Sequence, residues 1–399
     1  MNGDKNTFQI AYLPWLKLDN TYCVNGIEFI PVKNDNGSIN PLFSEIHEII
    51  DIILSLYADN NSEPIINFTV VNITNRDWNI SDSDYDTIKR ATSLLFLASW
   101  AKNEYYSQSS SYINSSTFRI IFQKISLPVN RLTILSRRRD GNKYSTLINN
   151  QKIMFNMPWQ CSQRNPVAVD TAFLEALNSG CSKGSNTIKR LTFALPFVEL
   201  ANTDDSLMTE EAEAILMGSA FQQLLGVNDG AYMLGRSFGG LFESYGSISV
   251  ADVMKYRPGI EIDKSNKKRA DAQPKWFVHR KWIKELHKLR SKFIHEGTSI
   301  RKKWGWSIQE HLVMAAWVIP LTVKLLLERE GHYKLTDLDK CFCMTVDKLL
   351  SVNDWGKGTE ESCSKWDDII YTTKFQHGIK LKACRYLENN QTQLNDESI

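Results

Sequence analysis

The side chains best suited to chemistry in this chain are Arg290 and His295. They stand with four residues between them in the run Leu289-Arg290-Ser291-Lys292-Phe293-Ile294-His295-Glu296-Gly297. Histidine titrates near neutral pH and can accept or deliver a proton. Arginine is always charged and grips phosphate oxygens with a planar fork of donors. Together the two make a minimal, metal-free site for cleaving a ribose-phosphate backbone. His295 would serve as general base or acid on the ribose 2′-hydroxyl and the leaving oxygen. Arg290 would neutralise the charge that builds on the transition state. Attack by the substrate's own 2′-hydroxyl needs no protein nucleophile, and the products would carry a 2′,3′-cyclic phosphate and a 5′-hydroxyl.

Spacing alone says little, because Arg280 and His287, with six residues between them, fit the same pattern. The surrounding element discriminates. From Trp276 to Ile294 the apolar residues Trp282, Leu286, Leu289 and Phe293 recur at helical steps, so this stretch reads as an amphipathic helix. Arg290 lies at the edge of its apolar stripe. His295 falls at its end, just before Gly297, a common helix stop. Residues 275–303 hold ten lysines and arginines against Glu285 and Glu296. Such a stripe is either a solvated face or a phosphate-attracting one. On the second reading Lys288, Lys292 and Arg280 contact RNA, Ser291 hydrogen-bonds beside the arginine, and His287 supports the site from one turn away.

The elements that must position this helix divide the chain in two. Residues 1–160 read as an α+β domain. Strands are expected over 8–13, 22–32 and 65–74, with a hairpin around Asp140-Gly141 whose tip is basic (Arg137, Arg138, Arg139). Helices are expected over 43–57 and 84–100. Residues 161–399 read as all-α, with helices over 167–178, 209–226, 276–294, 307–331 and 335–350. Thr209 is an expected N-cap, and Ser307 with Glu310 an expected capping box. The glycine-rich stretch 226–246 lacks the G-x-x-x-x-G-K-[ST] spacing of a phosphate loop and reads as a connection between helices.

The run from Leu289 to Gly297 resembles the R-x(4–6)-H signature of the HEPN superfamily of all-α domains. The helix over 210–226 resembles the long early helix of those domains, and residues 307–331 the helix that closes the bundle. The resemblance extends over roughly residues 165–350 and implies a HEPN-like helical domain behind the α+β domain. Many HEPN domains are metal-independent endoribonucleases, often toxins or anti-phage effectors, in which the arginine and histidine of two domains meet at a dimer interface. Others bind nucleic acid or partners without catalysis. The residue after the arginine is often Asn, Asp or His in active members, and here it is Ser291. The resemblance therefore implies an endoribonuclease acting on RNA as a homodimer. A protein or phage-derived trigger would act at the first domain. The alternative is a non-catalytic module that binds RNA, a nucleotide or a protein.

The remaining features narrow the class. The net charge of +2 excludes a generic polycation. Seven scattered cysteines without a C-x-x-C read as reduced thiols, and no cluster has metal-ligand spacing, so no metal or cofactor is expected. The N-terminus has no apolar signal core, and the run Leu312–Val323 is too short to span a bilayer. A cytoplasmic protein without membrane contact is the expectation.

Overall fold

A computed structural model describes residues 7–33, 41–76, 78, 80–102, 114–126, 131–137, 143–149, 154–159, 161, 166–203, 205–228, 230–296, 304–352 and 365–396. The chain divides into two compact units. One comprises residues 1–188 and 198–208, the other 189–197 and 209–399. The boundary expected at residue 160 therefore falls later. Helices α3 (Thr171–Ser182) and part of α4 (Asn186–Ala201) belong with the sheet. Contacts across sequence decide this. Asn178 exchanges hydrogen bonds with the backbone of Cys23 and Asn25 at 2.9 Å, and α3 packs on α2 (Tyr85–Lys102).

In the first unit β1 (Thr7–Leu13), β2 (Tyr22–Val24), β3 (Ile27–Lys33), β5 (Asn67–Ile73), β6 (Ile121–Ser126), β7 (Arg131–Arg137) and β8 (Lys143–Asn149) form one antiparallel sheet. Its order is β2-β3-β5-β1-β6-β7-β8. The short strands β4 (Tyr57–Ala58) and β9 (Phe155–Asn156) pair in parallel beside it. Ile10, Tyr12, Ile30, Val32, Phe68 and Val70 share a core with Ile49, Ile50 and Ile53 of α1 (His47–Leu56). The alternate residues Ala11, Leu13, Phe29 and Val71 are buried as well, so β1, β3 and β5 are covered on both faces. The strands expected over 8–13 and 65–74 and both early helices are present, but the run 22–32 is a hairpin, because Asn25 and Gly26 turn the chain at φ 51° and 79° between β2 and β3. Strand β6 went unanticipated, and the hairpin tip with Arg138 and Arg139 lies outside the described residues.

The second unit is helical: α5 (Glu210–Leu225), α6 (Gly230–Phe242), α7 (Val250–Val253), α8 (Lys267–Ala272), α9 (Val278–Glu296), α10 (Ile308–Arg329), α11 (Asp337–Ser351) and α12 (Lys365–Asp396). The caps fall where side-chain chemistry puts them. Thr209 Oγ accepts from Ala212 N, and Gly226 closes α5 at φ 61°. The Ser307–Glu310 and Thr336–Asp339 boxes open α10 and α11. Helix α9 packs on α5, α6 and α11. Trp282, fully buried, meets Phe221 of α5 edge-on at 5.9 Å and Phe238 of α6 at 5.8 Å.

The stretch expected as a glycine-rich connection is mostly helix α6. Its glycines are packing devices. A Cβ at Gly235 would stand 3.3 Å from the Arg280 carbonyl, and one at Gly239 would stand 3.0 Å from the Arg280 side chain. The glycines let α6 lie close against α9, and the burial gained offsets their poor helix propensity. Helix α10 is long and apolar enough to cross a membrane, although 72% of its most apolar stretch is buried inside the protein. Trp282→Ala is expected to lower stability by about 3–5 kcal/mol, because it empties the junction of three helices. Urea unfolding of the full chain measures the loss.

Candidate active site

Helix α9 carries polar groups in four directions, and each direction has its own partners. Toward α5 it presents Arg290 and His287, one turn apart. Arg290 Nε donates to Ser219 Oγ at 3.0 Å. Its stem crosses α5 at Gly218, where a Cβ would stand 3.0 Å from Arg290 Cδ. No bulkier residue admits the arginine there without displacement. The terminal nitrogens of Arg290 have no protein partner among the described residues. Gln222 Nε2 lies 3.0 Å from His287 Nε2, so the amide donates and the ring nitrogen accepts. Burial and then the Arg290 charge push the His287 pKa below its ordinary value, in keeping with a neutral ring.

His295 is exposed in the last turn of α9. Five helical steps take the chain from Arg290 to His295, which is about 140° around the axis and about 7.5 Å along it. The two side chains of one copy therefore leave the helix on different faces. Ser291 and Lys292 are half-buried between them, with Lys292 Nζ 5.7 Å from the Trp304 ring centre.

The lysine side of α9 differs from a solvated stripe. Lys281 and Lys284 are only 6% and 4% exposed. Lys281 Nζ donates to the Glu261 carbonyl and, at 3.4 Å, to Gln273 Oε1. Lys284 and the exposed Lys288 share Asp263 Oδ2 at 3.4 Å each. Hydrogen bonds from Ser265, reinforced by Lys288 and Lys284, hold the Asp263 carboxyl well below the usual carboxylate range. Burial pushes Lys281 down to about 8. On the same helix Glu285 Oε1 accepts from the Gly305 and Trp306 amides at 2.8 and 3.1 Å. Lys281 and Lys284 are thus internal fasteners, whereas Lys288, which also reaches Asp263, stays at an exposed position.

The fourth direction was not anticipated. His279 Nδ1 donates to Asp347 Oδ1 at 2.7 Å, in a pair that is almost wholly buried. Asp347 also accepts the backbone amides of Ser247 and Ile248 at 2.7 and 3.2 Å. The partners lie 68 residues apart, so no local spacing could expose them. Beside them Arg280 stacks on Trp276 at 4.0 Å. The Tyr232 ring has the Arg269 guanidinium 4.0 Å and the Arg280 guanidinium 5.8 Å from its centre. Arg236, Lys275 and Arg280 surround a pocket of about 360 Å³ with Glu243, Trp276 and Phe277. The decoy arginine and histidine do not meet: Arg280 faces α6 whereas His287 faces α5.

Among the described residues no group of three or more His, Cys, Asp or Glu side chains is placed to hold a metal ion. No protein-family model, no curated protein and no solved structure matches the chain.

Because Lys281 binds its proton less tightly when folded, the unfolded chain carries more protons between about pH 8 and the ordinary lysine value near 10.4. Stability linked to Lys281 therefore rises with pH through that window, and the burial penalty is fully present below it. Relative to Lys281→Met, the wild type should gain stability from pH 8 to 10. Urea unfolding at stepped pH checks this, and parallel profiles would contradict it.

Proposed function

We propose that the helical unit is a HEPN-like module and that the chain is a metal-independent endoribonuclease of toxin or anti-phage defence type, acting in the cytoplasm. The observation that carries the reading is the state of Arg290. Its stem and Nε are anchored on α5 at Gly218 and Ser219, while its terminal nitrogens make no hydrogen bond among the described residues. A guanidinium fixed at one edge and open at the other suits a phosphate arriving from outside. His295, exposed about 1.4 turns further along the helix, would move the proton.

Their divergence on the helix favours a composite site. In a two-fold homodimer, Arg290 of one copy and His295 of the other can converge on one scissile phosphate. His295 would take the 2′-hydroxyl proton and a histidine would return one to the 5′-oxygen, while Arg290 carries the phosphorane charge. Lys288 and Lys292 would contact flanking phosphates, so RNA affinity should fall steeply with salt. The sheet unit would restrain the site or sense a protein or phage-derived trigger.

The test is purified full-length protein incubated with mixed RNA in excess EDTA, with the ends mapped. Arg290→Ala and His295→Ala should each lower cleavage by about a hundredfold or more. Cleavage that requires magnesium, or that survives both substitutions, would refute the reading.

The cationic pocket on α6 favours a second reading, a non-catalytic module that binds a nucleotide or RNA. Three cations, one carboxylate and two aromatic rings around about 360 Å³ suit a nucleoside phosphate, with Glu243 toward the ribose hydroxyls. If so, Arg236→Ala and Lys275→Ala, both at exposed positions, should each weaken AMP or ATP binding about tenfold in calorimetry. Nucleotide binding lost in these variants, in a protein inert toward RNA, would establish this reading over the first.

A further inference from the structure

Helix α12 is half inside the protein and half unpartnered. Its inner face is anchored: Trp366 and Ile370 are 1% and 2% exposed, and Trp366 meets Trp317 edge-on at 6.1 Å. Its outer face carries Tyr371, Phe375 and Ile379, exposed by 70%, 57% and 51%. The Tyr371 and Phe375 rings lie 6.3 Å apart at 10°, stacked along the helix. Large apolar side chains scattered singly on a surface need no explanation, but a continuous stripe on one helix marks an interaction face.

The stripe has a symmetry that names its occupant. Asp368, Tyr371, Phe375, Ile379 and Lys382 follow one another at steps of three, four, four and three. At 100° per residue the five fall within an arc of about 80° on the helix surface, one narrow stripe, and the order reads identically from either end about Phe375. We propose that α12 pairs antiparallel with α12 of a second copy of this chain, across a two-fold axis at Phe375. Phe375 then stacks on its own counterpart. Tyr371 of each copy meets Ile379 of the other, and Thr372 lies over Gly378, where no side chain obstructs the approach. Asp368 and Lys382, both exposed and without an ion pair in their own chain among the described residues, close the two ends as opposite charges. A parallel pairing would set Asp368 on Asp368 and Lys382 on Lys382, and like charges opposed in this way select against it. One helix face with three kinds of apolar layer is smaller than the about 1,600 Å² of a typical stable interface, so the dimer is reversible on dilution.

The pairing stands on residues 368–382 and not on Arg290 or His295: a dimer indifferent to Phe375→Asp would overturn it and leave the composite ribonuclease site standing, whereas RNA left uncut by a Phe375-dependent dimer would overturn the ribonuclease reading alone. Sedimentation equilibrium of the full chain over a concentration series should show a monomer–dimer equilibrium. Phe375→Asp should raise its dissociation constant at least about tenfold with an unchanged circular dichroism spectrum. Asp368→Lys and Lys382→Asp should each weaken self-association. Mixed together they should form a heterodimer in preference to either homodimer, since both end pairs are then complementary. Arg290→Ala should dimerise as the wild type does. A monomer at every concentration would overturn the proposal. So would a dimer indifferent to Phe375→Asp, or a mixture that fails to pair.

Discussion

The helical unit is governed by one constraint: α9 carries ionisable side chains into an apolar interior, and each must be met. His279, Lys281, Lys284, Glu285 and His287 are all less than 10% exposed on this one helix. An unpaired buried charge costs several kcal/mol, more than most single contacts contribute. The loops around α9 are accordingly arranged as acceptors and donors. Asp263 and the Glu261 carbonyl answer the lysines, the Gly305 and Trp306 amides answer Glu285, and Asp347 answers His279. Segments with little apolar content of their own are held in place by these demands.

The same logic extends outward from α9. Arg257, 4% exposed, grips Glu310 with two nitrogens and donates to the Gly305 and Val352 carbonyls. It thereby ties the start of α10 and the end of α11 to the loop that caps Glu285. Lys324 and Asp339 form a second buried pair at 2.7 Å, completed by Tyr333 and Thr336. Buried ion pairs rarely add net stability over apolar packing, but each breaks badly if one partner is removed. Their value here is in fixing which loop meets which helix.

Arg290 departs from the pattern. It is anchored like its neighbours yet keeps donors in reserve. His287, beside it, has its pKa pushed down by burial and by the arginine's charge, and its Nε2 lies 3.0 Å from the Gln222 amide. Arg290 is not alone in being left partly unanswered: His279 Nε2, Arg280 Nε and Trp282 Nε1, buried on the same helix, also make no hydrogen bond among the described residues.

Much of this was legible from local chemistry. The amphipathic period of α9, the caps at Thr209, Ser307 and Gly226, and the β-branched runs of the sheet act within a few residues of themselves, so sequence alone determines them. It also singled out Arg290 and His295 and placed both on one helix. Only the tertiary structure decided which α9 cations are internal, because Lys281 and Lys288 look alike until Asp263 and Glu261 arrive from another segment. Only it turned the glycines at 235 and 239 from a loop signal into a helix-packing surface, since their meaning depends on Arg280 opposite them. The His279–Asp347 pair was likewise invisible, because no pattern within a window joins residues 68 apart. Periodicity and capping are local forces, whereas the neutralisation of buried charge depends on which distant segments the fold brings together.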